Sequence, residues 1–469
     1  MNWCFLVSVF LLGFTTAQQI GQYQKERHPL LQWSTCTADR GCEKVNGELT
    51  IDANFRWLHD VNGAMSCYSY TTWDERVCNT TETCTNTCAL EGAAYDTVYG
   101  VKTANDSVSL RFRTNHDFAY NIGSRLFLME SQHRYQMFTL KDNELAFDVN
   151  LSTVECGINS ALYFVPMDPD GGQARYPTNA AGAEYGTGYC DASCPRSLTF
   201  VGGKANVEGW IPSETDEFAG EGRLGSCCPQ FSVWNSNAHS FAMSSHVCPN
   251  DGPSVCVGGE CDYYEAYSED RGLRKCDMWG CGYNPYRMGS KDFYGKGKKV
   301  DTARNFTCVF LCISSVEWYV VLTLRICVSR VVTRWTEDKI TQFLIQDGKK
   351  FDIPAPTWEG LPQDAGLSRD MCVKQPLVFG ERDTMAENGG WSVHNRQLLN
   401  QPMVLVMSIG ADVSISVTLA LVVTRPGLTR SSTLRGISGS TPSTHRTTPR
   451  ASWAENGAIV FPLRTATRA

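Results

Sequence analysis

Between Gly225 and Asn237 the chain reads Gly-Ser-Cys-Cys-Pro-Gln-Phe-Ser-Val-Trp-Asn-Ser-Asn, with polar and apolar residues interleaved as in a half-buried strand. A period of two puts Gln230 and Ser232 on one face. Asn235 joins them only if the strand bulges or ends there. Two amides and a hydroxyl donate and accept hydrogen bonds, but at ordinary pH an amide is neither a competent nucleophile nor a proton donor. Carboxylates that could take over such roles, Glu208, Asp216 and Glu221, lie nearby in sequence, each reading by itself as a solvated loop charge. His246, in Ser244-Ser245-His246-Val247-Cys248, is the adjacent titratable ring. Gly-rich phosphate loops, a His-Glu-x-x-His helix and a Gly-x-Ser-x-Gly elbow are all missing from the sequence, which removes support for nucleotide, zinc-protease and serine-hydrolase chemistry.

The elements that must position this run are strands. From Leu49 to Val165 short alternating segments recur, such as Ser107 to Arg113, Arg125 to Met129 and Leu145 to Val154, separated by Gly, Asn and Asp turns. Sustained helical periodicity is absent there, so an all-β sandwich of antiparallel sheets is expected. From Asp168 to Asp301 the texture changes to Gly, Pro, Tyr and Cys, the composition of long disulfide-pinned loops that build a binding surface.

With 469 residues, 42% apolar and 19% charged, the chain can bury a large core. A net charge of −7 gives no general footprint for nucleic acid. Twenty-one cysteines with only eight histidines lack a zinc-ligand pattern and read as a disulfide framework. Phe5 to Phe14 is an apolar run too short to span a bilayer, followed by Thr15-Thr16-Ala17, so residues 1–17 read as a secretory signal peptide. Sequons at Asn79, Asn105, Asn150 and Asn305 fit the same route to an extracellular glycoprotein. Two segments break the pattern. Cys308 to Arg330 is an apolar stretch of 23 residues, yet Glu317 and Arg325 inside it, each costing roughly 2.5 to 3.5 kcal/mol at mid-bilayer, argue against a membrane span. After the strong strand Met403 to Ile409 the chain turns Ser-, Thr- and Arg-rich, with seven Arg, no Lys and one Glu from residue 425 onward.

Several motifs together resemble glycoside hydrolase family 7, the secreted cellobiohydrolases and endoglucanases. They are Ile51-Asp52-Ala53-Asn54-Phe55-Arg56-Trp57, Gly92-Ala93-Ala94-Tyr95, Tyr185-Gly186-Thr187-Gly188-Tyr189-Cys190-Asp191, Ala205-Asn206-Val207-Glu208-Gly209-Trp210, Asn284-Pro285-Tyr286-Arg287 and Met403 to Ser408, in the family's order. The resemblance covers roughly residues 20 to 307 and 331 to 409. It implies a concanavalin-like β-jelly roll whose concave sheet holds a β-1,4-glucan chain, and no cofactor or metal, because the chemistry is carried by side chains. The loop with Cys256 and Cys261 and the stretch Gly202 to Gly225 look more like the tunnel-forming cellobiohydrolases than the open endoglucanases.

That resemblance also implies disulfides Cys36 with Cys42, Cys67 with Cys88, Cys78 with Cys84, Cys190 with Cys228, Cys194 with Cys227, Cys248 with Cys276, Cys256 with Cys261, and Cys281 with Cys372. Cys156 should then pair with a later cysteine, but none follows Cys372. Family members run from Phe306-Thr307 directly into Val331, so 308–330 looks like a retained-intron insert, and 410–469 like a frame-shifted or disordered tail. The domain expected is 18–409. At the catalytic run the family has Glu-x-Asp-x-x-Glu, nucleophile, assisting carboxylate and general acid/base, where this chain has Gln230, Ser232 and Asn235. The matching substrate-binding positions are Trp57, Arg125, Asn159, Tyr163, Tyr189, Asp191, His246, Arg271 and Arg287, with Tyr283 as an aromatic face in place of a Trp platform. The expectation is a secreted monomer without a membrane anchor that holds a cellulose chain and has lost most or all hydrolysis. The alternatives are an active retaining cellobiohydrolase or endoglucanase using other groups, and a decaying gene product that does not fold.

Overall fold

The computed structural model describes residues 18–37, 40–117, 119–214, 216–261, 276–304, 306–309, 324–327, 329–411 and 463–467. Thirteen strands form the main path of one hydrogen-bonded sheet that folds over on itself. They are β1 (Leu30–Thr37), β2 (Gly41–Ile51), β3 (Ser124–Ser131), β4 (Asn143–Val149), β5 (Ile158–Val165), β6 (Gln230–Ser236), β7 (Phe241–His246), β8 (Cys281–Tyr283), β9 (Ser329–Trp335), β10 (Lys339–Gln346), β11 (Lys349–Asp352), β12 (Met403–Ala411) and β13 (Leu463–Thr467). Their order is β8-β7-β6-β5-β12-β3-β2-β1-β13-β4-β9-β10-β11, antiparallel throughout except for β1 beside β13. This is the all-β sandwich expected from the alternating runs, in the jelly-roll form that the resemblance implied.

The two layers meet through large apolar side chains. Trp234 of β6 lies edge-on to Phe147 of β4 at 6.2 Å and stacks on Phe241 of β7 at 4.4 Å, while Phe231 meets Trp335 of β9 at 5.9 Å. Gln342 of β10 donates to the Val233 carbonyl at 3.1 Å, a hydrogen bond from one layer to the other. On its other face the layer β3-β12-β5-β6 carries a second apolar cluster, including Phe127, Tyr163, Tyr189 and Val406, covered by the loops that follow β5.

All eight disulfides among the described residues have the pairing that the resemblance implied, and two of them, Cys190–Cys228 and Cys194–Cys227, pin the loops between β5 and β6. Cys156 is an exposed free thiol. Within Leu49 to Val165 a seven-residue helix, Thr81–Thr87, starts inside the loop that Cys78 and Cys84 close.

Residues 1–17, on which the signal-peptide expectation falls, Asn305 and most of 412–469 lie outside the described residues. Within 410–469, the backbone of Leu463–Thr467 lies between β1 and β4 and pairs with both. Without it two strands would face each other with unpaired N–H and C=O groups, which sheets avoid. Around the segment 308–330, most of which lies outside the described residues, Phe306–Val309 and Leu324–Cys327 pair as an antiparallel ribbon before Ser329 enters β9. Among the described residues no helix is long and apolar enough to cross a membrane.

Candidate active site

β6 is bulged, and the bulge decides which side chains share a face. Ser232 lies opposite Tyr163 of β5 and Trp234 opposite Leu162, so two residues of β6 span one step of its neighbour. Against β7 the same slip puts Ser232 opposite Ser244 and Asn235 opposite Ala242. Val233 and Trp234 therefore both enter the inter-sheet core, and Asn235 returns to the face of Gln230 and Ser232. The condition that the sequence set for uniting the three residues is met. Gln230 and Asn235 are half-buried and Ser232 is fully buried.

Register then lines up a strip across the sheet. Arg125 of β3 pairs with Ser408 of β12, Ser408 with Ala161 of β5, Ala161 with Asn235, and Asn235 with Ala242 of β7. Side chains directly opposite on one face are neighbours, so this row of small and polar residues is a shallow floor running across the strands. Asn159, two residues from Ala161 on the same face, extends it, with its side-chain Oδ1 accepting from the Ser236 backbone amide at 3.0 Å. The adjoining row, Phe127, Val406, Tyr163, Ser232 and Ser244, is buried.

One wall of the strip is the loop Tyr189 to Cys194, clamped to the start of β6 by Cys190–Cys228 and Cys194–Cys227. Gly188 makes its approach possible, since at φ +85° a Cβ there would come within 2.7 Å of the Gly171 carbonyl oxygen. The clamp brings the Ala192 amide to the Gln230 side-chain oxygen at 3.5 Å, and the Gln230 amide donates to Ser232 Oγ at 2.9 Å. Tyr163 and Tyr189 share a hydroxyl hydrogen bond at 2.8 Å, and Tyr189 Oη donates to Asp191 Oδ2 at 2.6 Å. The Arg125 guanidinium lies 3.6 Å from the centre of the Tyr189 ring and donates to Asp52 Oδ2 at 2.7 Å. Burial pushes both tyrosine hydroxyls up, so they act as neutral donors. Burial by itself would lower Arg125, but Tyr189, Tyr163, Asp52 and Asp191 outweigh it and fix a cation there. Removing the bridging hydroxyl in Tyr189→Phe is expected to cost about 1 to 2 kcal/mol, read as a lower midpoint in urea with unchanged slope.

On the opposite wall His246 stands across from Gln230. Its Nε2 shares a hydrogen bond with Ser244 Oγ at 2.8 Å, and its Nδ1 meets the Asp277 carbonyl oxygen at 3.1 Å. Burial lowers the imidazole and raises the Asp277 carboxyl, each against the pull of the other. Asp277 Oδ1 accepts from Thr384 Oγ1 at 2.5 Å and from the Gly280 amide at 2.8 Å.

The remaining expected residues divide. Trp57 is 38% exposed, its ring 4.3 Å from that of His59 and its Nε1 donating to Ser66 Oγ at 3.0 Å. Arg287 is engaged elsewhere, stacked 4.3 Å from the Phe379 ring and paired with Glu381 at 2.5 Å. Tyr283 is a correction: opposite Met243 in the β7–β8 register it points into the inter-sheet core, fully buried, and its hydroxyl donates to the Pro354 carbonyl at 2.5 Å. It offers no aromatic face to a ligand. Arg271 lies outside the described residues. Glu208, Asp216 and Glu221 are exposed, as solvated loop charges are. Sequence reasoning missed Asp52, Ser244, Asp277 and Ser408. Asp52 and Ser408 stood within motifs already singled out, but placing Ser408 needed the registers of β12 with β3 and with β5.

The model of the family described as Glycosyl hydrolase family 7 matches residues 20–458. A cellobiohydrolase from Melanocarpus albomyces, solved in complex with cellotetraose, is 44% identical over 96% of this chain and 98% of its own, with a TM-score of 0.80. A family 7 cellobiohydrolase from Daphnia pulex is 29% identical over 96% of this chain and 99% of its own, also with a TM-score of 0.80. The Humicola insolens endocellulase EGI is 26% identical over 96% and 98%, with a TM-score of 0.70.

Proposed function

The chain belongs to glycosyl hydrolase family 7, and from that premise we propose that it holds a β-1,4-glucan chain along the strip from Arg125 to Asn235 without cleaving it at an appreciable rate. The observation that carries the reading is the face of β6, where the bulge gathers two amides and a hydroxyl and no carboxylate. Retaining hydrolysis needs one carboxylate to attack the sugar and a second, about 5 to 5.5 Å away, to protonate the leaving oxygen. Gln230 and Asn235 supply neither function.

Nearby carboxylates are poorly placed to substitute. Asp191 already accepts from Tyr189 and from the Ser193 amide at 2.7 Å, which ties its oxygens to its own loop. Asp277 is held by Thr384 and Gly280 beneath His246. Glycan binding is better supported. Arg125, Asn159 and the Gln230 and Asn235 amides are the donors and acceptors that sugar hydroxyls use, and the similar Melanocarpus protein was solved with cellotetraose. Eight disulfides require an oxidising folding compartment, which supports secretion as the place of action. The overall likeness to cellobiohydrolases favours the second reading, an active hydrolase relying on other groups.

Two measurements on the full-length protein separate these readings. Calorimetric titration with cellotetraose is expected to give saturable binding, and incubation with a fluorogenic cellobioside is expected to release no fluorophore above the uncatalysed background. Release that scales with protein concentration and survives repurification would overturn the noncatalytic reading.

A further inference from the structure

We infer that Ser244 and His246 form a nucleophile–base pair beside the strip that hydrolyses small acyl esters, acetyl groups carried on the hydroxyls of a bound sugar. The sugar half of that substrate rests on the glucan-binding reading above, and the ester half stands without it. Ser244 and His246 are two residues apart on β7 and share one face. Ser244 Oγ lies 2.8 Å from His246 Nε2, and His246 Nδ1 lies 3.1 Å from the Asp277 carbonyl oxygen. A carbonyl oxygen only accepts, so Nδ1 carries the proton and Nε2 turns its lone pair to the serine hydroxyl. A hydroxyl, a base within hydrogen-bond reach of it and a third group that orients the base make the arrangement that activates serine, which is defined by geometry and not by chain order. Burial lowers the imidazole, and a neutral ring is what a general base requires.

The surroundings of the pair suit a small acyl group. Ser244 is 9% exposed, whereas Ser232 opposite it is fully buried. On its other side Gly282 of β8 stands opposite Ser244, and a Cβ there would lie 3.6 Å from Ser244 Cβ, so glycine places no side chain beside the hydroxyl. Ala242, two residues earlier on the same face of β7, is part of the strip. The base is held in place from behind: Gly280 adopts φ +63°, and a Cβ there would lie 2.5 Å from His246 Nδ1, so only glycine lets the backbone approach that ring. Gln230, across from His246, adds neutral N–H donors to this face, the kind of group that steadies negative charge on an ester carbonyl oxygen. In the reaction Ser244 Oγ bonds to the acyl carbon as its proton passes to His246 Nε2. The bond from that carbon to the sugar oxygen breaks, and the oxygen leaves with the proton from Nε2. Water then attacks the acyl-serine, gives a proton to Nε2, and the carboxylic acid departs as that proton returns to Ser244. No step calls for a carboxylate at position 230 or 235, and strand alternation aims the pair without a Gly-x-Ser-x-Gly elbow.

The test treats the full-length protein with a fluorophosphonate probe, which marks activated serines covalently, and maps the label by peptide mass spectrometry. Label on Ser244 is expected, and its loss in His246→Gln, a variant that keeps a donor and an acceptor but no base. Hydrolysis of 4-nitrophenyl acetate is expected above the uncatalysed background in the parent and to fall at least about 100-fold in Ser244→Ala and in His246→Gln, with urea unfolding recorded to show that both variants fold. Because the label is read on the parent, the proposal stays open to refutation even if a variant fails to fold. Label missing from Ser244, or equal ester turnover by the parent and Ser244→Ala, would overturn the pair, while calorimetric binding of cellotetraose would leave the glucan-binding reading standing. Acetylated cellotetraose is expected to lose acetate to the parent. Cleavage of 4-nitrophenyl acetate alone would overturn the sugar ester as substrate.

Discussion

Full-length protein carrying Gln230→Glu, Ser232→Asp and Asn235→Glu is expected to hydrolyse a fluorogenic cellobioside at least about 10,000-fold faster than its parent, since general acid/base help supplies up to that factor and a nucleophile adds to it. The gain is expected because the backbone that would aim the carboxylates is already in place. The bulge at Val233 and Trp234 turns position 235 onto the face of positions 230 and 232, and the Cys190–Cys228 and Cys194–Cys227 clamps fix where β6 begins. Small neighbours, Ala161 and Ala242, flank position 235 and leave room for the extra methylene of Glu. Position 232 is fully buried beside Tyr163 and Ser244, so an Asp there shares its proton with Glu at 230 and splits the two titrations.

Single changes sharpen the comparison. Gln230→Glu by itself restores an attacking carboxylate, and a phenolic leaving group needs little protonation, so a partial gain on the fluorogenic substrate is expected. Asn235→Glu by itself adds a proton donor without a nucleophile and should stay at the parental rate. Comparable turnover by parent and triple variant would mean that another group performs the chemistry, and the noncatalytic reading would fall.

Much of this site was legible in the sequence because its determinants are local. Alternation in Arg125 to Met129 placed β3, and the cysteine-bearing motifs carried the disulfide pairing by resemblance. The bulge was legible only as a condition, since Val233 and Trp234 as adjacent apolar residues do not reveal which neighbouring strand slips. What failed to be legible depends on pairing between distant strands. Ser408 reaches the strip through two registers, and Tyr283 goes into the core because it lies opposite Met243, a contact 40 residues away in sequence that composition does not encode. Asp277 was hidden for the same reason: only the fold sets it under His246 and Thr384.

Substituting Glu26 is expected to bring the largest loss of stability, and the reason lies beneath the site. Glu26 accepts from Arg56 at 2.5 Å, from the Tyr95 hydroxyl at 2.6 Å and from the Ala93 amide at 2.9 Å, with both charged side chains almost wholly inaccessible. Arg56 also donates to the Ile51 carbonyl at 3.2 Å, the Glu91 carbonyl at 3.1 Å and Thr50 Oγ1 at 3.0 Å. The pair thus binds the chain entering β1 to the turn that carries Asp52, partner of Arg125, and Trp57. Glu26→Ala leaves a buried guanidinium without its counter-charge, a defect that costs about 3 to 5 kcal/mol. Its pH dependence follows from the direction of the shift. Burial alone would raise the Glu26 carboxyl, but Arg56, Tyr95 and Ala93 outweigh it and hold the carboxyl below the ordinary value. Stability from the ionised form is therefore complete above the unfolded-state pKa and is lost as pH falls through the lower folded-state value. Urea unfolding across the acid range should show a shallower acid limb for Glu26→Gln than for the parent. Parallel limbs, or a Glu26→Ala loss below about 1 kcal/mol, would mean that the pair is not the acid-sensitive brace between β1 and the Asp52 turn.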